Sequence, residues 1–277
     1  MVIVGIVLAI LGLLVVFFNI SCSPLKSEFS TDVKKLTQQV KAKDSGVFSE
    51  ADIQNLPLPV QKYFRQCKFI GTKKMSYMKA EYHDVAFKQG KNGSSLKIDY
   101  VQYNFVDHPN RIALITSSMF GVPFDGYDSF MNGHGGMKGV VGKLVTIFNQ
   151  TGSEMDKACL ATYLSECLLV PSAALQDDIQ WESIDDTHAK ATMTYQSASV
   201  QGIFTFNQEG EMLSFTTNDR PLYNTDGSIE HVSWSAVCND YQEQNGYLLP
   251  TKLEAVWHYN DGDFVYFNGS DIKVEYH

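Results

Sequence analysis

Five polar residues, Asp125, Asp128, His134, Glu166 and Arg220, are the ones in this chain whose types could do chemistry together. Three make the sharpest constellation. If Asp128, His134 and Glu166 converge, one carboxylate orients the imidazole and the other handles a proton, which is the arrangement of a hydrolase-like acid–base site. The spacing also supports a plainer reading. His134 sits within Gly133-His134-Gly135-Gly136, where glycines tolerate positive φ and let a strand bend or reverse, so the imidazole becomes a turn residue. No Gly-x-Ser-x-Gly elbow, His-Glu-x-x-His pair or phosphate-cradling glycine loop occurs. The seven histidines are scattered, with no two placed three or four residues apart. Neither a metal centre nor a cofactor is expected.

The aromatic residues carry a different chemistry. Trp181, Trp234 and Trp257 fall on strand-like segments with Phe204, Phe206, Tyr259 and Tyr266. Such rings ordinarily fill a core. Where a subset instead lines an unfilled concavity, it meets acyl chains, and about ten buried methylenes give about 8 kcal/mol before ordering costs. The candidate ligand-binding set is therefore Trp181, Phe204, Trp234 and Trp257, with Asp128, His134, Glu166 and Arg220 as its polar members.

The elements that must position these groups are legible from periodicity. Phe29, Val33, Leu36 and Val40 recur at helical spacing, Ser49 is placed to cap a short helix, and a further helix runs through Val60, Tyr63 and Phe64 after Pro57 and Pro59. After Met75 the period becomes two. Trp234, Ala236 and Cys238 alternate with polar neighbours, as do Leu253, Ala255, Trp257 and Tyr259, and then Ile272, Val274 and Tyr276. Turn signals at Lys91-Asn92-Gly93, Glu209-Gly210, Asp226-Gly227, Asn245-Gly246, Asp261-Gly262 and Asn268-Gly269 separate about ten strands of an antiparallel meander. Ser153 to Leu169 interrupts it as a helix, with Ser153 as N-cap and Pro171 just beyond the end. The fold class is thus mainly β with a few helices, a curved sheet covered so that a cavity can lie between the layers.

The first apolar run, Val2 to Phe18, is long enough to cross most of a bilayer's hydrocarbon layer. A retained anchor is the leading expectation. A cleaved lipoprotein signal with modification at Cys22 is the alternative, opposed by the length of the run and the lack of a preceding Lys or Arg. Lys26, Lys34, Lys35, Lys41 and Lys43 follow the run and form either a solvated helix face or a contact with anionic headgroups. The expected segments are 1–24 as anchor, 25–55 as helical connector and 56–277 as one β-rich domain. That domain is expected on the extracytoplasmic side of a bacterial envelope, with the cytoplasmic side open. With 31 acidic against 22 basic residues and a net charge of -9, nucleic acid is excluded as a partner. Five cysteines make no disulfide framework. Cys159 and Cys167 cannot pair along one helix, while Cys67 with Cys238 stays geometrically open.

Several short motifs together resemble an uncharacterised bacterial family, a domain of unknown function whose members commonly carry an N-terminal membrane segment. They are Leu56-Pro57-Leu58-Pro59-Val60-Gln61-Lys62-Tyr63-Phe64, Gly126-Tyr127-Asp128 with Gly133-His134-Gly135-Gly136-Met137, Tyr163-Leu164-Ser165-Glu166 leading to Pro171, and Trp181-Glu182. The likeness runs from about Leu56 to the C-terminus. This chain departs from it at Thr162, where the family carries a basic residue. The family's shape is similar to that of the Lol lipoprotein carriers, in which a curved antiparallel sheet wraps helices and shelters acyl chains. The family implies no established activity; the anchor, the meander and the aromatic content lead to the expectation of a membrane-anchored binder of a lipid, lipoprotein or other hydrophobic ligand without catalysis. An acid–base hydrolase and an envelope assembly partner are the alternatives.

Overall fold

A computed structural model describes residues 2–20, 23–40, 46–88, 90–91, 93–224 and 227–277. Cys22, Lys41 and Lys43 lie outside the described residues, as do Asn92 and Asp226 of two turn signals, and so do the readings that rest on them. The chain opens with α1 (Val2–Asn19) and α2 (Pro24–Gln39), then α3 (Glu50–Ile53) and α4 (Leu58–Gln66). Six strands follow: β1 (Tyr77–Lys88), β2 (Ser95–Phe105), β3 (Arg111–Met119), β4 (Val122–Met131), β5 (His134–Val141) and β6 (Val145–Thr151). After α5 (Ser153–Ser165) come β7 (Ile179–Ser183), β8 (His188–Tyr195), β9 (Ala198–Phe206), β10 (Met212–Thr217), β11 (Leu222–Tyr223) and β12 (Ile229–Glu230). The last strands are β13 (Ser233–Gln244), β14 (Tyr247–Tyr259), β15 (Gly262–Gly269) and β16 (Lys273–Tyr276).

The sheet is antiparallel and runs β6-β5-β4-β3-β2-β1-β15-β14-β13-β10-β9-β8-β7, with β16 beside β1. It has fourteen strands where turn signals mark about ten. Two of the extra hairpins turn at Phe120-Gly121 and at Gln196-Ser197, which carry neither Asn-Gly nor Asp-Gly. Asn268-Gly269 is not a turn: both residues belong to β15, and after an interruption at Asp271, with φ 55°, the chain continues in the same direction along β1 as β16. On β9 the inner face is formed by Val200, Gly202, Phe204 and Phe206, alternating against outward residues.

The sheet curls until its wings meet. Gln196 in the β8–β9 turn donates to the Asn132 carbonyl in the β4–β5 turn at 2.7 Å, and Tyr195 packs on Phe130. Helix α5 lies inside the curve, touching β4 to β6 on one side and β8 to β10 on the other. Its N-cap is Gly152 rather than Ser153, which is already the first helical residue. Gly135 makes the close packing possible, since a Cβ there would sit 2.5 Å from the Met155 carbonyl oxygen.

One end of the curve is closed. Phe48, Phe64 and Phe69 pack there from α3, α4 and their flanks, so the main core begins upstream of Leu56. Ser49 caps α3 as expected, its N–H donating to Asp52 Oδ2 at 2.7 Å. The carbonyls just past α5 find hydroxyl donors: Tyr63 donates to Leu168 O at 2.9 Å and Tyr276 to Leu169 O at 2.7 Å.

The outer face of the sheet carries a second, smaller core. Leu25, Phe29 and Leu36 of α2 pack on Phe105, Ile112, Tyr127 and Val140, and Tyr127 donates to Asp32 at 2.8 Å. The segment expected as a connector therefore lies against the β-domain. Its Lys34 and Lys35 are exposed, while Lys26 approaches the buried Asp125 at 3.5 Å. None of the apolar window of α1 is buried, and the helix is long and apolar enough to cross a membrane, a test that a signal sequence also passes.

Candidate functional site

Between the inner face of the sheet and α5 lies a cavity of about 720 Å³. Its floor comes from the register of two neighbouring strands. Trp234 stands opposite Trp257 and Ala236 opposite Ala255, so two large rings and two small side chains follow one another along β13 and β14. Both tryptophans are buried, with ring centroids 6.5 Å apart. Facing them are Met155, Cys159 and Thr162 of α5, and Ile115, Phe124 and Met137 from the other wing.

Two arginines border this largely apolar space, and they differ in what they bond. Arg111, the first residue of β3, is buried and paired with two carboxylates. It grips Glu166 through Nε at 2.7 Å and Nη2 at 3.1 Å, Asp128 through Nη1 at 2.7 Å, and the Tyr100 hydroxyl through Nη2 at 2.6 Å. Gln102 and Asn104 each donate to Glu166 Oε2 at 2.8 Å. Burial by itself would lower the Arg111 pKa, but Glu166, Tyr100 and Asp128 outweigh it and hold the guanidinium charged well above its ordinary range. Since Glu166 caps the C-terminal end of α5, the cluster fastens that helix end to β2, β3 and β4.

Arg220 is only half-buried and has no carboxylate within 4 Å among the described residues. Its guanidinium stacks 4.7 Å from the Trp234 ring and 5.1 Å from that of Trp257, and its Nε donates to Thr162 at 3.0 Å. A cation thus reaches Thr162 from another element. Arg220, Asp128, Glu166, Trp234 and Trp257 all line the cavity.

The other three candidate ligand residues do not. Phe204 is fully buried, with Trp181 at 5.2 Å and Phe215 at 4.7 Å, and Trp181 Nε1 donates to the Ala174 carbonyl at 3.0 Å, so both belong to filled core. His134 is 81% exposed and approaches Asp156 at 3.9 Å. Asp128 pairs with Met137, and three residues along β5 put His134 roughly 10 Å away on the opposite face. With the Asp128 and Glu166 carboxylates held by Arg111, the proton relay of the hydrolase reading is not assembled. Asp125 faces outward beneath α2. Among the described residues no group of three His, Cys, Asp or Glu side chains is placed to hold a metal ion. The described cysteines, Cys67, Cys159, Cys167 and Cys238, are free thiols.

A sequence profile described as a family of unknown function, DUF6544, matches residues 46–269. The chain belongs to that family. Among solved structures, a LolA superfamily protein from Nitrosomonas europaea aligns at 15% identity, covering 79% of this chain and 93% of the other, with a TM-score of 0.38. No match was found among curated proteins.

Sequence reasoning within this DUF6544 chain missed Arg111. The residue follows Pro109-Asn110 with no motif around it, and its partner Glu166 is 55 positions away. The one available signal was that Asp128 and Glu166, both on apolar elements, require a buried cation.

Proposed function

We propose that this protein is a membrane-anchored binding protein that holds an acyl-bearing lipid, with the apolar chain in the cavity and an anionic head against Arg220. The observation that carries this reading is the cavity itself. A volume of about 720 Å³ lies within the usual range for small-molecule sites, and it sits in the middle of the curved sheet, bordered by Trp234, Trp257 and facing alanines. Burying apolar chain there supplies affinity, and Arg220, stacked on aromatic faces with no carboxylate of its own, supplies the charge that selects the head. The Arg111 cluster holds α5 as the fixed wall of the site. Helix α1 keeps the domain beside the membrane that contains the ligand.

Native mass spectrometry of the full chain released from detergent micelles, with extraction of what it retains, tests this reading. One acyl-bearing anion per chain is the expected result. A chain that stays empty after incubation with fatty acid and with phospholipid micelles overturns it.

A further inference from the structure

The open end of the cavity carries an apolar surface that none of the described residues covers. Outside α1, the two most exposed large hydrophobic side chains are Phe120, at 100%, and Leu144, at 74%. They sit at the tips of the β3–β4 and β5–β6 hairpins, with Met119, Val145 and Ile147 exposed beside them. Both hairpins reverse at the same end of the meander, away from the closed end built by α3 and α4. Met119, Phe120 and Ile147 also line the cavity, so this surface is the rim of its mouth.

The Phe120 turn is costly twice over. Met119 pairs with Val122, leaving the two-residue loop Phe120-Gly121 with φ of 53° and 78°. That geometry favours Asn or Gly at its first position, and a bulky ring there has both backbone strain and water to contend with. Solubility and turn chemistry alike argue against Phe in that place. A bilayer interface removes the second penalty and rewards the ring.

The same rim touches the end of α1. Lys143, at the β5–β6 turn, donates through Nζ to the carbonyls of Phe17 and Ile20 at the C-terminal end of α1, and its charge suits that end of the helix dipole. Gly142 faces the Phe18 ring, where an added Cβ would lie 3.5 Å away. Eighteen helical residues rise about 27 Å, close to the thickness of a hydrocarbon core, so the point that Lys143 holds is where α1 leaves the bilayer.

We infer that the hairpin tips bearing Phe120 and Leu144 insert into the surface of the bilayer that α1 crosses, so that the cavity mouth opens directly onto lipid. The inference rests on the anchored-carrier reading above and adds its docking surface, with a lipid bilayer as the occupant. Because Lys143 binds the rim to the anchor, docking is intramolecular once α1 has inserted, and a few apolar side chains suffice where a free domain would need more.

The test uses the full chain reconstituted in phosphatidylcholine vesicles, with and without bromine on the acyl chains. F120W is compared with V47W, a position 53% exposed at the closed end, each read against the emission of the unsubstituted chain. The expected result is that the emission added by F120W is blue-shifted and quenched by brominated lipid, while the emission added by V47W is neither. Equal quenching in the two variants, or none in either, overturns the docking surface. The acyl content of the same samples is measured separately: docking lost with ligand retained refutes this inference alone, whereas docking retained on an empty chain refutes the carrier reading.

Discussion

Ala236 stands directly opposite Ala255 on neighbouring strands, and both line the cavity one step inward from the facing pair Trp234 and Trp257. Two methyl groups at this point leave room that larger side chains would take. The space therefore follows from residue choice at four positions in register.

Filling that room separates an open site from a packed core. Ala255→Phe is expected to abolish retained acyl ligand while raising the apo chain's stability by about 0.5–2 kcal/mol, as cavity-filling changes do. Thermal melts and extracted lipid on the same sample measure both. A loss of about 1–3 kcal/mol would mean that the ring is overpacked and the space is not free.

Removing the buried guanidinium strands two carboxylates. Arg111→Met is expected to cost about 3–5 kcal/mol in urea unfolding, because Glu166 and Asp128 lose their shared counter-charge. Adding Glu166→Gln to that variant should recover part of the loss. If the double variant is no more stable than the single one, the cost lies in lost packing around the arginine.

In the proposed carrier, Arg220 selects head-group charge without carrying the fold. Arg220→Gln is expected to shift the extracted ligands from anionic to neutral heads, with a stability loss of roughly 1 kcal/mol from the lost stacking. An unchanged lipid profile would remove Arg220 from recognition.

The α3 cap gives the fold an acid-sensitive point. Partial burial pushes the Asp52 pKa up, but hydrogen bonds from Lys74 and Ser49 outweigh it and hold the carboxyl below its ordinary value. A depressed folded pKa means that this stabilisation is fully present above the unfolded value of 3.8 and is lost as pH falls through the folded one. Asp52→Ala should cost about 1 kcal/mol at neutral pH and give a shallower acid limb below about pH 4. Parallel limbs for the two proteins would exclude Asp52 from the acid response.

Local patterns made most elements legible: the spacing of Phe29 to Val40 marks α2, Met155 to Leu164 marks α5, and alternation marks β9, β13 and β14. What they do not show is which layer stands over each face. Phe204 and Trp257 have the same strand periodicity, yet one lies under Trp181 and Phe215 and the other beside empty space. On β4, Tyr127 and Asp128 face opposite layers, α2 outside and α5 inside, a division that depends on contacts far apart in sequence. Arg111 belongs to the same class of fact, its role created wholly by tertiary pairing.

The tyrosine hydroxyls at the end of α5 bear on how the chain folds. Tyr63 and Tyr276 reach carbonyls 105 and 107 residues away, from opposite sides in sequence. The central helix is therefore not completed until both the N-terminal helical segment and the last strand have arrived, and neither half of the chain presents a finished unit by itself. Such long-range closure slows folding and makes it cooperative. During synthesis the cavity is completed only after β16 emerges, long after α1 has left the ribosome.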